Sequence, residues 1–186
     1  MGYLEKSEEI TGYRVKIWKR DAFNVTGYTI IVPPDPVPSA RTVIHEFWND
    51  IIADGRLDKL IKASSIRPWV LGLGSWDPEC EKNGMRYSIC IEETEHTDFS
   101  RLSKEYRLFT KEIGASDWMC FETTHGEYER FWRDNPYKMM KKLGYQFHTR
   151  EGDYSVGLHF DAYPPYLSFP LESNSVIEFW ITVVKP

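Results

Sequence analysis

The chain has 186 residues, of which 41% are hydrophobic and 27% charged, with a net charge of −5. This composition is typical of a globular domain and excludes a disordered protein. An acidic net charge without a basic stripe argues against nucleic acid as a direct partner. No apolar run approaches the roughly 18 residues of a membrane span, and the first residues lack a signal-peptide pattern. We therefore expect one domain over residues 1–186 that binds neither nucleic acid nor a membrane.

The cysteines indicate a reducing compartment. Cys80, Cys90 and Cys120 are odd in number, widely spaced and without a CxxC pair, which favours free thiols and a cytoplasmic location. Cys120 is expected to be a small buried hydrophobic residue rather than a nucleophile.

Metal and cofactor signatures are absent from the sequence. His45 begins an HExxH-like pattern, but Asn49 stands where the second histidine belongs. Gly72 and Gly74 lack the third glycine of a dinucleotide-binding loop. We expect no metal and no cofactor. The two glycines instead predict that another group closely approaches this strand.

Hydrophobic periodicity predicts the elements of the first half. A helix is predicted over residues 40–53, with Ser39 as its N-cap and Gly55 as its stop. A short second helix is predicted over residues 56–63. The predicted strands of this half are residues 13–19, 26–33, 68–76 and 86–93.

The second half repeats this order. Thr124 and Glu127 form a predicted capping box at the start of a helix. Asn135-Pro136 ends that helix and begins another, which stops at Gly144. The first of the two helices is expected to direct three large side chains inward, namely Tyr128, Phe131 and Trp132. The predicted strands of this half are residues 105–112, 116–123, 155–163 and 175–184.

Similar short sequence segments recur in the two halves. Phe47-Trp48 matches Phe131-Trp132, and Leu71-Gly72-Leu73 matches Val156-Gly157-Leu158, each at an offset of roughly 85 residues. We predict an α+β fold of two pseudo-symmetric β-α-β-β halves with antiparallel sheets. Helices would cover one face, and a ligand cleft would lie on the other. The predicted repeat units are residues 12–95 and 103–186.

Alternation along three predicted strands of the second half separates two faces. One face is hydrophobic and is expected to carry the helices: Met119, Phe121, Leu158, Phe160, Ala162, Ile177, Phe179 and Ile181. The other face combines acids with large aromatic residues: Trp118, Cys120, Glu122, His159, Asp161, Tyr163, Glu178 and Trp180.

Aromatic rings beside carboxylates are typical of a pocket for a small organic molecule, and they favour a cation. We predict that this second face binds such a ligand. Two alternatives stay open. A carboxyl group among aromatic rings has a raised pKa, so Asp161 or Glu178 could act as the acid of a small-molecule hydrolase. The aromatic face could also bind a protein partner.

The layout resembles the GyrI-like effector-binding family over residues 12–186, which implies a bacterial protein. The segments that carry the resemblance are Phe121 to Gly126, the following Phe-Trp helix, Phe160-Asp161-Ala162-Tyr163, Ile181 to Pro186, Glu46-Phe47-Trp48 and Trp69 to Trp76. Members of the family are ligand domains of AraC-type and multidrug-responsive transcription regulators, and they also occur as stand-alone proteins.

The resemblance implies a cleft between the halves for lipophilic, often cationic, molecules. The family usually places a ligand-contacting Glu where this chain has Asp161, which is one methylene shorter, so Glu178 or Glu122 could take over its role. Some stand-alone relatives resemble hydrolases that open cyclopropane rings with a carboxylate and an aromatic partner. A gap-free overlay of the halves puts Trp76 opposite Asp161. About a dozen residues precede the first predicted strand, so we expect a stand-alone binder rather than a one-component regulator.

Overall fold

The computed structural model describes residues 2–34, 39–76, 80, 84–102, 108–150 and 152–186. In this part of the chain, ten strands form one antiparallel sheet. The strands are β1 (Gly2–Ile10), β2 (Tyr13–Arg20), β3 (Phe23–Val32), β4 (Val70–Ser75), β5 (Met85–Glu92), β6 (Leu108–Ile113), β7 (Ser116–Thr124), β8 (Gln146–Phe147), β9 (His159–Tyr163) and β10 (Val176–Val184).

Four α-helices accompany the sheet in the described residues, together with short 3-10 turns. The helices are α1 (Ala40–Ala53), α2 (Arg56–Lys62), α3 (Tyr128–Asp134) and α4 (Pro136–Lys142). None of these helices is long and apolar enough to cross a membrane.

The strand order is β1-β2-β7-β10-β9-β4-β5-β3-β6, with β8 paired to β10. Apart from β1 and β8, this order is symmetric about the central β9–β4 pair. Strand β2 leads directly into β3 but pairs with β7, whereas β6 leads into β7 but pairs with β3. The first strand of each half therefore pairs with a strand of the other half. The predicted antiparallel α+β fold with two related halves is confirmed.

Local capping explains the helix ends. The Ser39 side chain accepts a hydrogen bond from the Thr42 backbone N–H (3.4 Å), and α1 has the predicted bounds. The chain then reverses at Gly55, where φ is +77° and a side chain would be strained. The Asn135 side chain accepts a hydrogen bond from the Lys138 N–H (3.1 Å) and starts α4, also as predicted.

The predicted capping box at Thr124 is wrong. The Thr124 side chain makes no capping hydrogen bond, and a 3-10 turn over His125–Glu127 precedes α3. The N–H groups of His125 and Gly126 donate to the backbone carbonyls of Ser175 (2.9 Å) and Ser173 (2.7 Å). These bonds continue the pairing with the chain that leads into β10, so the helix begins only at Tyr128.

Most predicted strands are present with shifted ends. The strand predicted from residue 155 begins only at His159, because Gly157 has a φ of +72° that interrupts an extended chain. Residues 103–107, the first part of another predicted strand, lie outside the described residues. Strand β1 was missed because its sequence is highly charged; it lies at the sheet edge, where charged side chains face solvent. The two-residue strand β8 was also missed.

Both faces of the sheet are apolar. On one face, α1 and α2 pack over β3, β4 and β5, and α3 and α4 pack over β2, β7 and β10. The opposite face has its own core, whose described members include no helical residue. Its buried residues include Val25, Leu71, Leu73, Cys90, Ile113, Trp118, Cys120, Phe160, Ala162 and Trp180. We call the two sides the helix face and the helix-free face.

The neighbouring Phe131 and Trp132 of α3 offer a test of the helix-face core. Phe131 is fully buried against Phe121 and Phe179, whereas Trp132 is 37% exposed. We expect Phe131→Ala to lower the free energy of unfolding by about 3–5 kcal/mol, because it opens a cavity. Trp132→Ala should cost about 1 kcal/mol. Urea unfolding of both variants measures the difference, and equal losses would contradict this packing.

Candidate functional site

The register of β9 sets the position of Asp161. Its backbone pairs with Gly72 of β4 on one side and with Phe179 of β10 on the other. Directly paired residues point to the same side of a sheet. The Phe179 ring packs against Phe131 of α3 (5.4 Å between centroids). Asp161 therefore lies on the helix face at the central strand pair, and His159 and Tyr163 lie on that face too.

This placement corrects the predicted faces. Asp161 was expected to share a face with Glu178 and Trp180, but those residues pair with Ala162 and Phe160 on the helix-free face. The side chains of β7 and β10 lie on the predicted faces. Those of β9 lie on the faces opposite to the predicted ones. Because both faces of this sheet are buried, an apolar run in β9 does not show which side carries the helices. The predicted site is therefore divided between two faces.

Side chains of α1 and α3 meet the strand residues around Asp161 on the helix face. Tyr128 of α3 donates a hydrogen bond from its hydroxyl group to Asp161 Oδ1. Trp48 of α1 donates from Nε1 to the Tyr87 hydroxyl group (3.0 Å). We call Trp48, Tyr87, Tyr128, His159, Asp161 and Tyr163 the acid cleft.

Two glycines make room for this cleft. A Cβ atom at Gly72 would collide with the Tyr87 hydroxyl group and would lie 3.4 Å from the Asp161 Cβ. A Cβ atom at Gly74 would lie 2.7 Å from His159 Nε2. The predicted close approach to this strand is confirmed, because both glycines let side chains from neighbouring strands lie over β4.

Burial controls the charge of the acid cleft. It raises the pKa of Asp161 to about 6, against a smaller opposing effect of the Tyr128 hydrogen bond. Burial also lowers the pKa of His159 to about 4, so this side chain is neutral at pH 7. Its Nδ1 atom is buried without a hydrogen-bond partner among the described residues. The pKa values of Tyr87 and Tyr128 are well raised by burial, so both remain neutral.

At pH 7 the cleft therefore carries one negative charge, on Asp161. None of the ion pairs between described residues includes this carboxylate, and no nearby cation contributes to its pKa. Asp161 as a whole residue is partly buried. The arrangement offers a desolvated negative charge among aromatic rings.

Two exposed tryptophans flank the acid cleft beside His159. The rings of Trp76 and Trp132 lie 5.9 and 6.3 Å from the His159 ring, and both residues are substantially exposed. Trp132 was predicted to point inward, but it lies at the margin of the cleft. The overlay of the two halves set Trp76 opposite Asp161; in the sheet, Gly72 is the residue that pairs with Asp161, and Trp76 lies beside His159.

The remaining predicted site residues lie on the helix-free face. Glu178 accepts hydrogen bonds from Lys16 Nζ (3.0 Å) and from Trp180 Nε1 (2.6 Å). Glu122 Oε2 lies 3.6 Å from Lys16 Nζ. Asp161 and Glu178 were expected to line one cavity, but Glu178 lies beside Lys16 on the helix-free face and Asp161 lies on the helix face.

Cys120 and Trp118 are core residues of the helix-free face. Both are buried, and burial raises the pKa of the Cys120 thiol well above its usual range. This thiol is unreactive at neutral pH. Cys90 and Cys120 are free thiols, and no group of three described His, Cys, Asp or Glu side chains is arranged to hold a metal ion.

Sequence reasoning missed part of the acid cleft. Tyr128 was assigned to the core, and Trp48 and Tyr87 were not recognised as site residues. One signal was available for Tyr87. It alternates with Ile89 and Ile91 on its strand, so it points to the same face as those core residues, and it pairs across from the small residue Gly74.

The raised pKa of Asp161 predicts that its charge destabilises the fold. An acid whose pKa is raised from 3.8 to about 6 loses stability as the pH rises through that interval, and the cost is complete above pH 6. We expect Asp161→Asn to raise the free energy of unfolding at pH 8 by about 1–2 kcal/mol, after allowance for partial solvent contact. The gain should shrink towards pH 5. Urea unfolding at both pH values measures it, and destabilisation at pH 8 would contradict this electrostatic account.

No protein-family model and no curated protein sequence matches the chain. Solved structures do match. SAV2435 bound to tetraphenylphosphonium superposes with a TM-score of 0.65 at 16% identity, over 92% of this chain and 93% of that one. A putative bacterial transcription regulation protein from Staphylococcus aureus MU50 superposes with a TM-score of 0.61 at 15% identity, over 94% of this chain and 98% of that one.

The EcmrR C-terminal domain gives a TM-score of 0.53 at 12% identity, over 94% of this chain and 99% of that domain. At these identities the matches establish the fold and leave the ligand open. This chain therefore has the same fold as SAV2435 and the EcmrR C-terminal domain.

Proposed function

We propose that the acid cleft binds a lipophilic organic monocation and that Asp161 is its counter-ion. The observation that carries this proposal is an ionised, partly buried carboxylate that has no cationic partner among the described residues. An unpaired charge in such a place is costly to the fold. A ligand with one positive charge and an apolar body would offset that cost.

The walls of the cleft suit such a ligand. The Trp48 ring lies 5.0 Å from Tyr163 and 5.7 Å from Phe169, in edge-on and stacked arrangements. The negative faces of aromatic rings attract organic cations, and this attraction increases when water is excluded. Tyr128 lies over Asp161, so a ligand would displace its hydroxyl group or lie beside it.

The structural neighbour solved with tetraphenylphosphonium supports this choice of ligand class. Neighbours described as transcription regulators or bound to DNA support a role in sensing such molecules. For this chain we propose the binding step alone, as a sequestering or sensing module. The wide spacing of its three cysteines, without a CxxC pair, favours a reducing, cytoplasmic setting.

The charge state of Asp161 favours binding over acid catalysis. With a pKa of about 6, the ionised form of Asp161 outweighs the protonated form at pH 7. A hydrolase that protonates a strained ring requires the protonated form, whereas a cation requires the ionised form. At neutral pH the cleft is therefore mainly in the form that binds cations.

Isothermal titration with tetraphenylphosphonium tests the proposal. We expect binding at pH 8 by the wild-type protein and a loss of roughly tenfold or more in Asp161→Asn, because a desolvated charged contact contributes about 1.5–3 kcal/mol. Tetraphenylborate, which has the same shape and the opposite charge, should not bind.

Glu122→Gln and Glu178→Gln are the matched controls, because both acids lie on the helix-free face. Each should bind tetraphenylphosphonium within about twofold of the wild-type protein, a difference of less than about 0.5 kcal/mol. If Glu178→Gln loses binding and Asp161→Asn retains it, the ligand lies on the other face. Equal binding of the cation and the anion would show that charge does not select the ligand.

A further inference from the structure

The helix-free face carries a groove that the acid cleft does not use. Its cavity volume is about 290 Å³. The residues that line it come from both halves of the chain: Lys16, Trp18, Arg20, Trp69, Glu92 and Trp180, with Glu178 and Cys120 below. The volume is at the lower end of the range of small-molecule sites, about 300–1,000 Å³, and so suits a ligand of one or two rings.

The charged side chains of this groove are paired with one another. Lys16 Nζ lies 3.0 Å from Glu178 Oε1, and Arg20 Nη2 lies 2.7 Å from Glu92 Oε2. Two cations of the lining thus face two carboxylates of the lining, and the neighbouring Glu122 lies 3.6 Å from Lys16 and 3.5 Å from Arg14. Because each charge is already compensated, an ionic ligand would have to break an ion pair, whereas a neutral ligand would not.

These ion pairs retain hydrogen-bonding capacity on both sides. An ammonium group has three N–H donors and a guanidinium group has five, and each carboxylate oxygen can accept more than one bond. Arg20 also stacks over the rings of Phe23 (4.2 Å) and Trp180 (5.5 Å), which fixes its orientation. A hydroxyl group both donates and accepts hydrogen bonds. It can therefore bond to the cation and to the carboxylate of one ion pair while the net charge of the pair stays zero.

The indole rings exclude a flat ligand between them. The rings of Trp69 and Trp180 are 5.1 Å apart and tilted by 52°. A planar base would need two nearly parallel rings with a gap of about 7 Å between them to be sandwiched. Trp18 and Trp69 are only partly buried, so each presents part of an indole surface at the groove. A puckered ring with an apolar C–H face can lie against one indole while its hydroxyl groups reach the ion pairs.

We propose that this groove is a second binding site, for a neutral sugar of one or two pyranose rings. The site is independent of the acid cleft, because the sheet separates them. It differs in electrostatic character as well: the cleft offers an uncompensated negative charge, and the groove offers compensated ion pairs beside indole rings.

Saturation-transfer NMR and isothermal titration at pH 7.5 test this site. The probes are methyl β-D-glucopyranoside, methyl α-D-mannopyranoside, cellobiose and maltose, with adenosine as the flat control. We expect at least one sugar to bind with a Kd of about 10 mM or lower, and adenosine to bind at least tenfold more weakly. Trp69→Ala and Trp18→Ala should each weaken sugar binding about tenfold or more, and Asp161→Asn should leave it unchanged.

Tetraphenylphosphonium titration and thermal melts show whether the two tryptophan variants remain folded. If Trp69→Ala unfolds, Arg20→Gln replaces it, because loss of the guanidinium group should also weaken sugar binding. The proposal is overturned if none of the four sugars binds at 20 mM, if adenosine binds as well as the best sugar, or if Asp161→Asn abolishes sugar binding. Failure of tetraphenylphosphonium binding alone would affect only the acid cleft.

Discussion

The negative charge of Asp161, which has no cationic partner among the described residues, is the constraint on which the acid cleft depends. The carboxylate lies at the central strand pair, and burial raises its pKa to about 6. Two neighbouring features accommodate the carboxylate. Gly72 leaves space for the Tyr87 hydroxyl group, and Tyr128 donates a hydrogen bond to Asp161. A fold optimised for stability alone would place a neutral or apolar group here. This cost is the reason for the proposal that a ligand offsets the charge.

The sheet separates two different electrostatic environments. On the helix face, the ionisable groups near Asp161 are tyrosines and a histidine that stay neutral at pH 7. On the helix-free face, Lys16 and Arg20 compensate Glu178 and Glu92. The same residue types, acids and aromatics, thus give the two sides different electrostatic character. The difference comes from the cations of β2, which reach the second face only because β2 pairs with β7 of the other half.

Sequence reasoning recovered what depends on local chemistry. Periodicity predicted α1 with its observed bounds, Ser39 as its cap and the junction at Asn135. Sequence reasoning failed where hydrogen bonds between segments far apart in the sequence determine the local structure. Thr124 looked like a helix cap, but hydrogen bonds to Ser173 and Ser175 hold that segment in a turn. The two faces of β9 were assigned the wrong way round, because both faces of the sheet are buried and apolar residues occur on each.

The candidate site shows the same division. Asp161 was identified through the resemblance of its motif, and Glu178 was ranked beside it on alternation alone. What distinguishes them is Lys16, which is 162 residues from Glu178 in sequence and 3.0 Å from it in space. Tyr87 and Trp48 were missed for the same reason, because their contact joins α1 to β5 across the core. Composition cannot show which acid has a partner.

A pH titration of the Asp161 carboxyl ¹³C chemical shift, measured by NMR with and without tetraphenylphosphonium, tests the central claim most directly. The account predicts a pKa near 6 in the free protein. It also predicts that the bound cation lowers this pKa, because a nearby positive charge favours the ionised form. A pKa near 4 in the free protein, or a value that the cation leaves unchanged, would contradict the assignment of Asp161 as the unpaired counter-ion of the cleft.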